Sequence, residues 1–299
     1  MIDWLKDASI RAVARLMDLS WDEADGVRQR AVQRGLRRRK LDPPTRIGID
    51  ETSFAKRHEY VTVVSDLDSP TVVHVADDRK KTSLDGFLSS LSPEELARLE
   101  VVAMDMREPY IRATLARVPV AADKICFDRF HVAKHLGDAV NRVRAEEHRE
   151  LKAQGDERLK GTRFWWLHGR ESLDQRRQEH FEPLRDSNLK VARAWAIKET
   201  ARDLWRFIHR GHAVRAWKKW LVWALRSRLE PVLRVARMIR EHLAGIVNAI
   251  VQRVTSARAE GINAKIQWIK RLAFGFRNRF KHAIYFHLGG LDLYPRVMA

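Results

Sequence analysis

Two aspartates each follow a run of residues with the character of a strand. Asp50 closes residues 46–50, in which Ile47 and Ile49 share one face of a strand while Gly48 and Asp50 share the other. Asp105 closes residues 101–105, an apolar run typical of a strand buried on both faces. Ligand sites in open α/β sheets gather at strand ends, so the two carboxylates can meet there and hold divalent cations. Either aspartate alone can equally end a strand or cap a turn.

A third acid, Glu260, stands on a predicted helix near the end of the chain. On a helical wheel Asn263 and Gln267 fall on the same side as Glu260, and Ile262 and Ile266 fall on the opposite side. The helix is therefore expected to pack its aliphatic face on a core and to turn Glu260 outward. A lone acid on a polar face is usually only solvated, but together with two strand-end aspartates it is expected to complete a two-metal site.

The elements around the two aspartates predict an α/β core over residues 44–149. Three successive strands predict an antiparallel meander, and two further strands alternate with helices, giving the order β-β-β-α-β-α-β-α. By analogy, this is the order of the ribonuclease H-like fold, a mixed sheet whose metal-binding carboxylates sit on the first and fourth strands. Residues 248–299 are expected to supply the C-terminal helical part of the same core.

Residues 150–247 interrupt that core with a helical insertion rich in tryptophan. No strand is predicted there, and Trp217, Trp220 and Trp223 recur every three residues. Such spacing is more often the buried face of a helix than a platform for stacking nucleic-acid bases. We therefore predict an all-helical insertion with a tryptophan core and a basic exterior.

The first 43 residues predict a helix-turn-helix segment followed by a basic linker. A helix over residues 9–17 is followed by a short turn, and Ser20 with Glu23 three residues later has the spacing of a capping box at the start of a second helix. From the middle of the second helix to the end of its tail, seven basic residues occur without an acidic one. This pattern favours contact with DNA, although many helical hairpins bind no DNA. These residues are Arg28, Arg30, Arg34, Arg37, Arg38, Arg39 and Lys40.

Composition narrows the class of protein. The 299 residues carry a net charge of +18, nearly all of it after residue 135, whereas the segment with the two aspartates is close to neutral. This uneven distribution of charge favours a metal site surrounded by a basic surface that binds a polyanion. The alternative is a basic surface that is only solvated. The one cysteine, Cys126, lies in an apolar run and predicts a buried thiol in a reducing cytoplasm. No signal peptide or membrane-spanning stretch is expected.

Asp128 and His131 form an Asp-x-x-His pair directly after the fifth predicted strand. Both side chains lie in the first turn of the following helix, where they can orient a metal-binding carboxylate or touch the scissile strand. The alternative is a helix cap followed by an ordinary surface histidine.

Four groups of residues together resemble the bacterial insertion-sequence transposases of the ISL-three type, and the likeness runs from the helix-turn-helix onward. The groups are Ile47-Gly48-Ile49-Asp50-Glu51; Met104-Asp105-Met106 with Pro109-Tyr110; Phe127-Asp128-Arg129-Phe130-His131-Val132; and Glu260-Gly261-Ile262-Asn263 continuing to Ile269-Lys270-Arg271 and Gly275-Phe276-Arg277-Asn278. Such proteins commonly begin with a cysteine-rich zinc-binding module, whereas no cysteine precedes Cys126. The chain accordingly either starts late or is a shortened relative.

The resemblance implies a DDE transposase with Asp50, Asp105 and Glu260 as the catalytic and metal-binding triad. Magnesium is the expected cofactor, with manganese as a substitute, and the expected partner is double-stranded DNA held by a homodimer or larger assembly in the cytoplasm at the nucleoid. Asp128, His131 and Asn263 are expected to support the triad, and Lys270, Arg271 and Arg277 to join the DNA contacts. The rival functions are a non-enzymatic DNA-binding regulator and a nuclease of the same fold that cuts without joining.

Overall fold

The computed structural model describes residues 1–39, 43–55, 59–69, 71–76, 81–254, 256–272 and 280–295. The chain separates into two compact units: Met1–Ile125 together with Thr255–Ala299 form the sheet unit, and Cys126–Val254 form the helical unit. The helical unit is thus inserted into the sequence of the sheet unit. None of the helices in the described part of the chain is long and apolar enough to span a membrane.

Five strands form one mixed sheet in the order β3-β2-β1-β4-β5. Their bounds are β1 Arg46–Ala55, β2 Glu59–Asp66, β3 Val72–Ala76, β4 Val101–Met104 and β5 Ile125–Phe127. The pairs β1–β2 and β2–β3 are antiparallel, which confirms the predicted meander, and β4 runs parallel to β1. All four residues of β4 are buried, as its unbroken apolar run predicts.

The first strand is longer than its sequence suggests. We predicted that β1 ends at Asp50, and this is wrong, because β1 continues through Ser53 to Ala55 by antiparallel pairing with β2. Its parallel pairing with β4, by contrast, extends over Arg46 to Gly48. Asp50 therefore lies within the strand, just beyond the stretch that is paired with β4.

Nine helices of the sheet unit lie in the described residues. They are α1 Ile2–Asp7, α2 Ile10–Leu16, α3 Trp21–Arg38, α4 Lys81–Ser89, α5 Pro93–Arg98, α6 Glu108–Arg117, α7 Ala121–Lys124, α15 Ser256–Leu272 and α16 Phe280–Leu288. The predicted capping box starts α3: the Ser20 hydroxyl accepts from the Glu23 N–H at 3.2 Å, and the Ser20 N–H donates to the Glu23 carboxylate at 2.8 Å. In α2 Ile10, Val13 and Ala14 are buried, whereas Leu16 is exposed.

One hydrophobic core joins the N-terminal helices of the sheet unit to its last two helices. Val13 of α2 and Val32 of α3 belong to the same buried cluster as Val75 of β3, Ile266 of α15 and Ile284 of α16. These side chains are each at most 1% exposed. Because the cluster draws on both ends of the chain, α15 and α16 are part of the framework that supports the sheet.

The helical unit contains seven α-helices and no strand beyond Phe127 in the part of the chain described. The helices are α8 Arg129–Ala153, α9 Arg163–Leu167, α10 Gln175–Arg185, α11 Lys190–Asp203, α12 Arg210–Leu225, α13 Glu230–Glu241 and α14 Leu243–Val251. Aromatic rings pack edge to face in its core, with centroid separations of 4.8 Å for Trp166–Phe181 and 5.4 Å for Trp217–Trp220. Trp223, predicted to share the buried face, is 39% exposed instead.

Candidate active site

The parallel register of β1 and β4 places Asp50 and Asp105 at corresponding positions. Gly48 pairs with Ala103; Asp50 follows Gly48 by two residues within β1, and Asp105 follows Ala103 by two residues, directly after the end of β4. Neighbouring strands lie about 4.8 Å apart. Both carboxylates are partly exposed, with 26% of the Asp105 side chain accessible. Two predicted site residues therefore lie at the same offset along neighbouring strands.

Helix α15 contributes an amide to the same place. The Asn263 side-chain N–H2 donates a short hydrogen bond to Oδ2 of Asp50, and the other oxygen of Asp50 accepts from the Glu51 N–H at 2.7 Å. Further along α15, the Lys270 ammonium donates to the Ser53 carbonyl at 2.9 Å. Ile262, buried with Ile266 and Ile269, anchors the opposite side of the helix. The predicted supporting residue Asn263 thus contacts a predicted catalytic residue directly.

Glu260 lies in α15 one turn before Asn263. Its side chain is outside the described part of the molecule, so its predicted contact with the two aspartates stays a prediction. The backbone position is informative nonetheless, because residues three apart in a helix are neighbours on one side of it, with Cβ atoms about 5–6 Å apart.

The turn after β4 holds Asp105 by its backbone and by one cation. Oδ1 of Asp105 accepts from the Met106 N–H at 2.7 Å, and the Arg107 N–H donates to the Asp105 carbonyl at 2.7 Å. The Arg107 guanidinium lies 3.7 Å from Oδ2 of Asp105 through Nε and 3.1 Å from Oε2 of Glu51 through Nη1. Arg107 therefore connects the β4 turn to the residue that follows Asp50.

A buried tyrosine completes this connection. The Tyr110 hydroxyl donates to Oε1 of Glu51 at 2.8 Å and shares a hydrogen bond of 2.8 Å with the Thr62 hydroxyl. Burial raises the pKa of Tyr110 well above its ordinary value, so the hydroxyl keeps its proton and remains a donor at neutral pH. Sequence reasoning did not select Glu51, Arg107 or Tyr110, although the position of Glu51 beside Asp50 was an available signal.

Asp128 and His131 belong to the helical unit. Asp128 is the N-cap of α8, where its carboxylate accepts from the Phe130 N–H at 2.9 Å. The His131 ring packs edge to face on Phe130 at a centroid separation of 5.7 Å. The cap interpretation is confirmed for Asp128, and a supporting role for the pair stays a prediction.

The arginines of α3 and its C-cap, Arg39, fall into two groups: those bonded to other residues of the sheet unit and those exposed to solvent. Arg28 is buried in an ion pair with Asp25, and Arg39 donates to the Val72 carbonyl at 3.0 Å and the Val73 carbonyl at 3.2 Å. The pKa of Arg39 is lowered by its burial. Arg28 is therefore not accessible to DNA in this structure, since its charge is buried and paired with the Asp25 carboxylate.

Two more of these arginines donate hydrogen bonds to the C-terminal segment, residues 291–295. Arg34 donates to the Leu293 carbonyl at 2.6 Å, and Arg38 donates to the Tyr294 carbonyl at 2.7 Å. Arg30 and Arg37 are exposed. Of the other residues predicted to contact DNA, Arg271 is exposed on α15, whereas Lys40 and Arg277 lie outside the described residues.

The described carboxylates do not by themselves complete a metal centre. Among the side chains that the structure describes, no three His, Cys, Asp or Glu residues come together in a group that could hold a metal ion. Position 260, whose side chain is not described, is one turn from Asn263.

Comparison with known proteins identifies a family. Residues 47–284 match the family model of the ISL-three DDE transposases, described as transposase. The transposase for insertion sequence element IS1001 from Bordetella parapertussis is 27% identical over 278 residues, which cover 92% of this chain and 68% of the relative. The transposase for element IS1557 from Mycobacterium tuberculosis is 27% identical over 302 residues, with 93% and 67% covered.

No solved structure matches the chain. The family match nevertheless begins at Ile47, three residues before Asp50, and continues through α15 into α16. It thus covers both aspartates, Asn263 and the whole helical unit. This protein belongs to the ISL-three family of DDE transposases.

Proposed function

We propose that this chain cleaves DNA at the ends of its insertion sequence and joins the freed 3′ hydroxyl to target DNA, using divalent cations held by Asp50, Asp105 and Glu260. The observation that carries the proposal is the placement of Asp50 and Asp105 at the same offset along neighbouring parallel strands, with Asn263 bonded to Asp50 one helical turn from Glu260. The mixed order β3-β2-β1-β4-β5 supports a ribonuclease H-like core.

The donor set fits magnesium. Carboxylate oxygens are hard ligands of the kind that Mg²⁺ binds, and each ionised carboxylate offers about four lone-pair sites. The bonds from Glu51 N–H and Asn263 use two of those sites on Asp50. When bound, a pair of magnesium ions polarises the phosphoryl oxygens and makes the attacking oxygen more acidic.

The protein's own contribution is to fix the carboxylates before DNA arrives. The β1–β4 register sets their separation, the amide of Asn263 orients Asp50, and the Met106 N–H orients Asp105. Groups that are already in place need no reorganisation during the reaction, which is where most electrostatic catalysis originates. The exposed cations Arg271, Arg30 and Arg37 are proposed to hold the phosphate backbone.

The test is Asp50→Asn, which keeps the shape of the side chain and removes its charge. We expect magnesium-dependent cleavage and strand transfer to fall on the order of 10³-fold or more, because an amide cannot hold a divalent cation as a carboxylate does. Binding of element-end DNA, measured by gel shift, should stay within about twofold, since Asp50 adds no attraction for phosphate. Strand transfer is measured with a pre-cleaved end.

Asp123→Asn is the matched control, because Asp123 is an exposed carboxylate of the sheet unit and should leave both assays unchanged. Retained joining by Asp50→Asn would refute the mechanism. Cleavage without joining by the unmodified protein would instead favour a nuclease. DNA binding without any metal-dependent cleavage of the proper ends would favour a regulator.

A further inference from the structure

A fourth carboxylate, that of Glu51, lies on the strand that carries Asp50 but points to the opposite face of the sheet. Glu51 directly follows Asp50 on β1, so their Cα atoms are about 3.8 Å apart. Only 8% of the Glu51 side chain is exposed. An ionised carboxylate at that depth requires partners.

Both oxygens of Glu51 are engaged by residues of the α6 segment. The Tyr110 hydroxyl donates to Oε1 at 2.8 Å, and Nη1 of Arg107 lies 3.1 Å from Oε2. Thr62, which stands opposite Glu51 in the β1–β2 pair, bonds the same tyrosine hydroxyl at 2.8 Å. Glu51 is therefore fixed in place by β2 and α6, and it carries a countercharge.

The same guanidinium also faces a proposed metal ligand. Nε of Arg107 is 3.7 Å from Oδ2 of Asp105, and 44% of the Arg107 side chain is exposed. Planar guanidinium groups bind two carboxylates with directional N–H groups, so the position of Arg107 depends on both acids. Removing Glu51 would leave Asp105 as the nearer anion for that cation.

We propose that Glu51 and Arg107 form a charge-compensating pair that sets the divalent-cation affinity of the Asp50–Asp105 site. Arg107 compensates the buried charge of Glu51, and Glu51 keeps Arg107 from competing for Asp105. Both are positioning residues that act through the metal-binding carboxylates. This inference rests on the proposed function, because it assigns a role at the same site.

Single substitutions of the two residues should change the cation affinity in opposite directions. Arg107→Gln removes the cation that lies 3.7 Å from Asp105 and should tighten cation binding on the order of tenfold. Glu51→Gln leaves Arg107 uncompensated, and it should weaken cation binding by a similar factor as the guanidinium moves toward Asp105. The double variant restores the net charge, so its affinity should return to within about threefold of the unmodified chain.

The measurement is manganese binding to the full chain, followed by the electron paramagnetic resonance signal of free Mn²⁺, so that no activity is needed. Arg107→Lys is the charge control, because it keeps the charge at position 107 but not the planar fork that reaches both acids, so its affinity should lie closer to that of the unmodified chain than the affinity of Arg107→Gln does. Thermal unfolding in EDTA identifies any variant that fails to fold. If both single folded variants shift the affinity in the same direction, or neither shifts it, the inference is wrong.

Failure of the proposed function gives a different result. In that case Asp50→Asn binds manganese as tightly as the unmodified chain, and the metal site itself is absent. If Asp50→Asn weakens binding while the Glu51 and Arg107 variants fail to move in opposite directions, only the charge-compensating pair is refuted.

Discussion

His287, a partly buried residue of α16, links the stability of the sheet unit to pH. Its ring packs edge to face on Trp268 at a centroid separation of 5.4 Å. Burial lowers the pKa of His287 to about 4, and the nearby cations Arg28 and Lys6 lower it further against the opposing effect of Asp7. The folded protein thus holds this ring neutral, whereas the unfolded chain takes up its proton near pH 6.5.

The sign of the pH dependence follows from that difference. Above about pH 6.5 the ring is neutral in both states and its contribution is constant. As the pH falls from 6.5 to about 4, only the unfolded state gains a proton, so the free energy of unfolding should drop by up to about 3 kcal/mol. His287→Gln should remove this component in urea unfolding across that range. His180→Gln, at an exposed position, should leave it in place, and an unchanged pH dependence in His287→Gln would contradict the assignment.

Residues around the candidate site differed in how far the sequence revealed them. Asp50, Asp105 and Asn263 could be selected, because strand-end acids and a polar helix face are local patterns. The bonds of Glu51 to Arg107 and Tyr110 could not, since they depend on how α6 docks against β1. The sequence likewise did not indicate that the arginines of α3 differ in exposure, because the partners of Arg34 and Arg38 lie 259 and 256 residues away in the chain.

At the scale of elements, α3 and the C-terminal segment approach so closely that a glycine is required between them. A Cβ on Gly35 would lie 2.7 Å from Cβ of Leu291 and 3.3 Å from the Asp292 carbonyl. A Cβ on Gly26, in the same helix, would meet only the guanidinium of Arg30, at 3.1 Å, which is the end of a flexible side chain. The two glycines of α3 therefore form a matched pair.

Alanine at the two positions should change stability in opposite directions. Gly26→Ala should stabilise by about 0.5–1 kcal/mol, because alanine is the better helix former. Gly35→Ala gains the same propensity but must displace the C-terminal segment, so we expect a net loss of about 1–2 kcal/mol. Urea unfolding midpoints measure both variants. Equal stabilisation by the two substitutions would show that the segment moves aside at no cost.

Element prediction succeeded where the pattern was local. All five strands were expected from apolar runs, and the turn after residue 66 was marked by its Asp and Pro residues. The extension of β1 beyond Asp50 was missed because Glu51, Thr52 and Ser53 are polar and their strand conformation depends on pairing with β2. Helix α5 was missed although Ser92 and Glu95 form a capping box that its sequence displays.

At the scale of the molecule, the net charge of +18 makes salt dependence a sensitive test of the proposed DNA binding. Arg30 and Arg37 face solvent, whereas Arg38 and Arg39 bond within the sheet unit. Substituting Arg30 and Arg37 with Gln should weaken binding to all sequences. The slope of log affinity against log salt should fall by about 0.9 for each phosphate that the protein no longer neutralises.

A second double variant separates binding from folding. Arg38→Gln with Arg39→Gln removes the same charge but also breaks bonds to Tyr294 and Val72, so it should lower the unfolding temperature as well. Gel shifts at several salt concentrations and thermal unfolding are measured for both pairs. An unchanged salt slope in the Arg30 and Arg37 variant would show that these arginines are only solvated.

The insertion of one unit within the other also sets the order in which a ribosome can build the protein. Asp50 and Asn263 are 213 residues apart. At roughly 5–20 residues per second, Asp50 is synthesised roughly 10–40 s before its partner. During that interval the helical unit is synthesised, while Ile266 and Ile284, which share a buried cluster with residues of β2 and β3, have not yet been made. A message broken before codon 263 therefore yields a chain whose sheet lacks the cover of α15 and α16, and its exposed apolar side chains make it a target for chaperones and proteases.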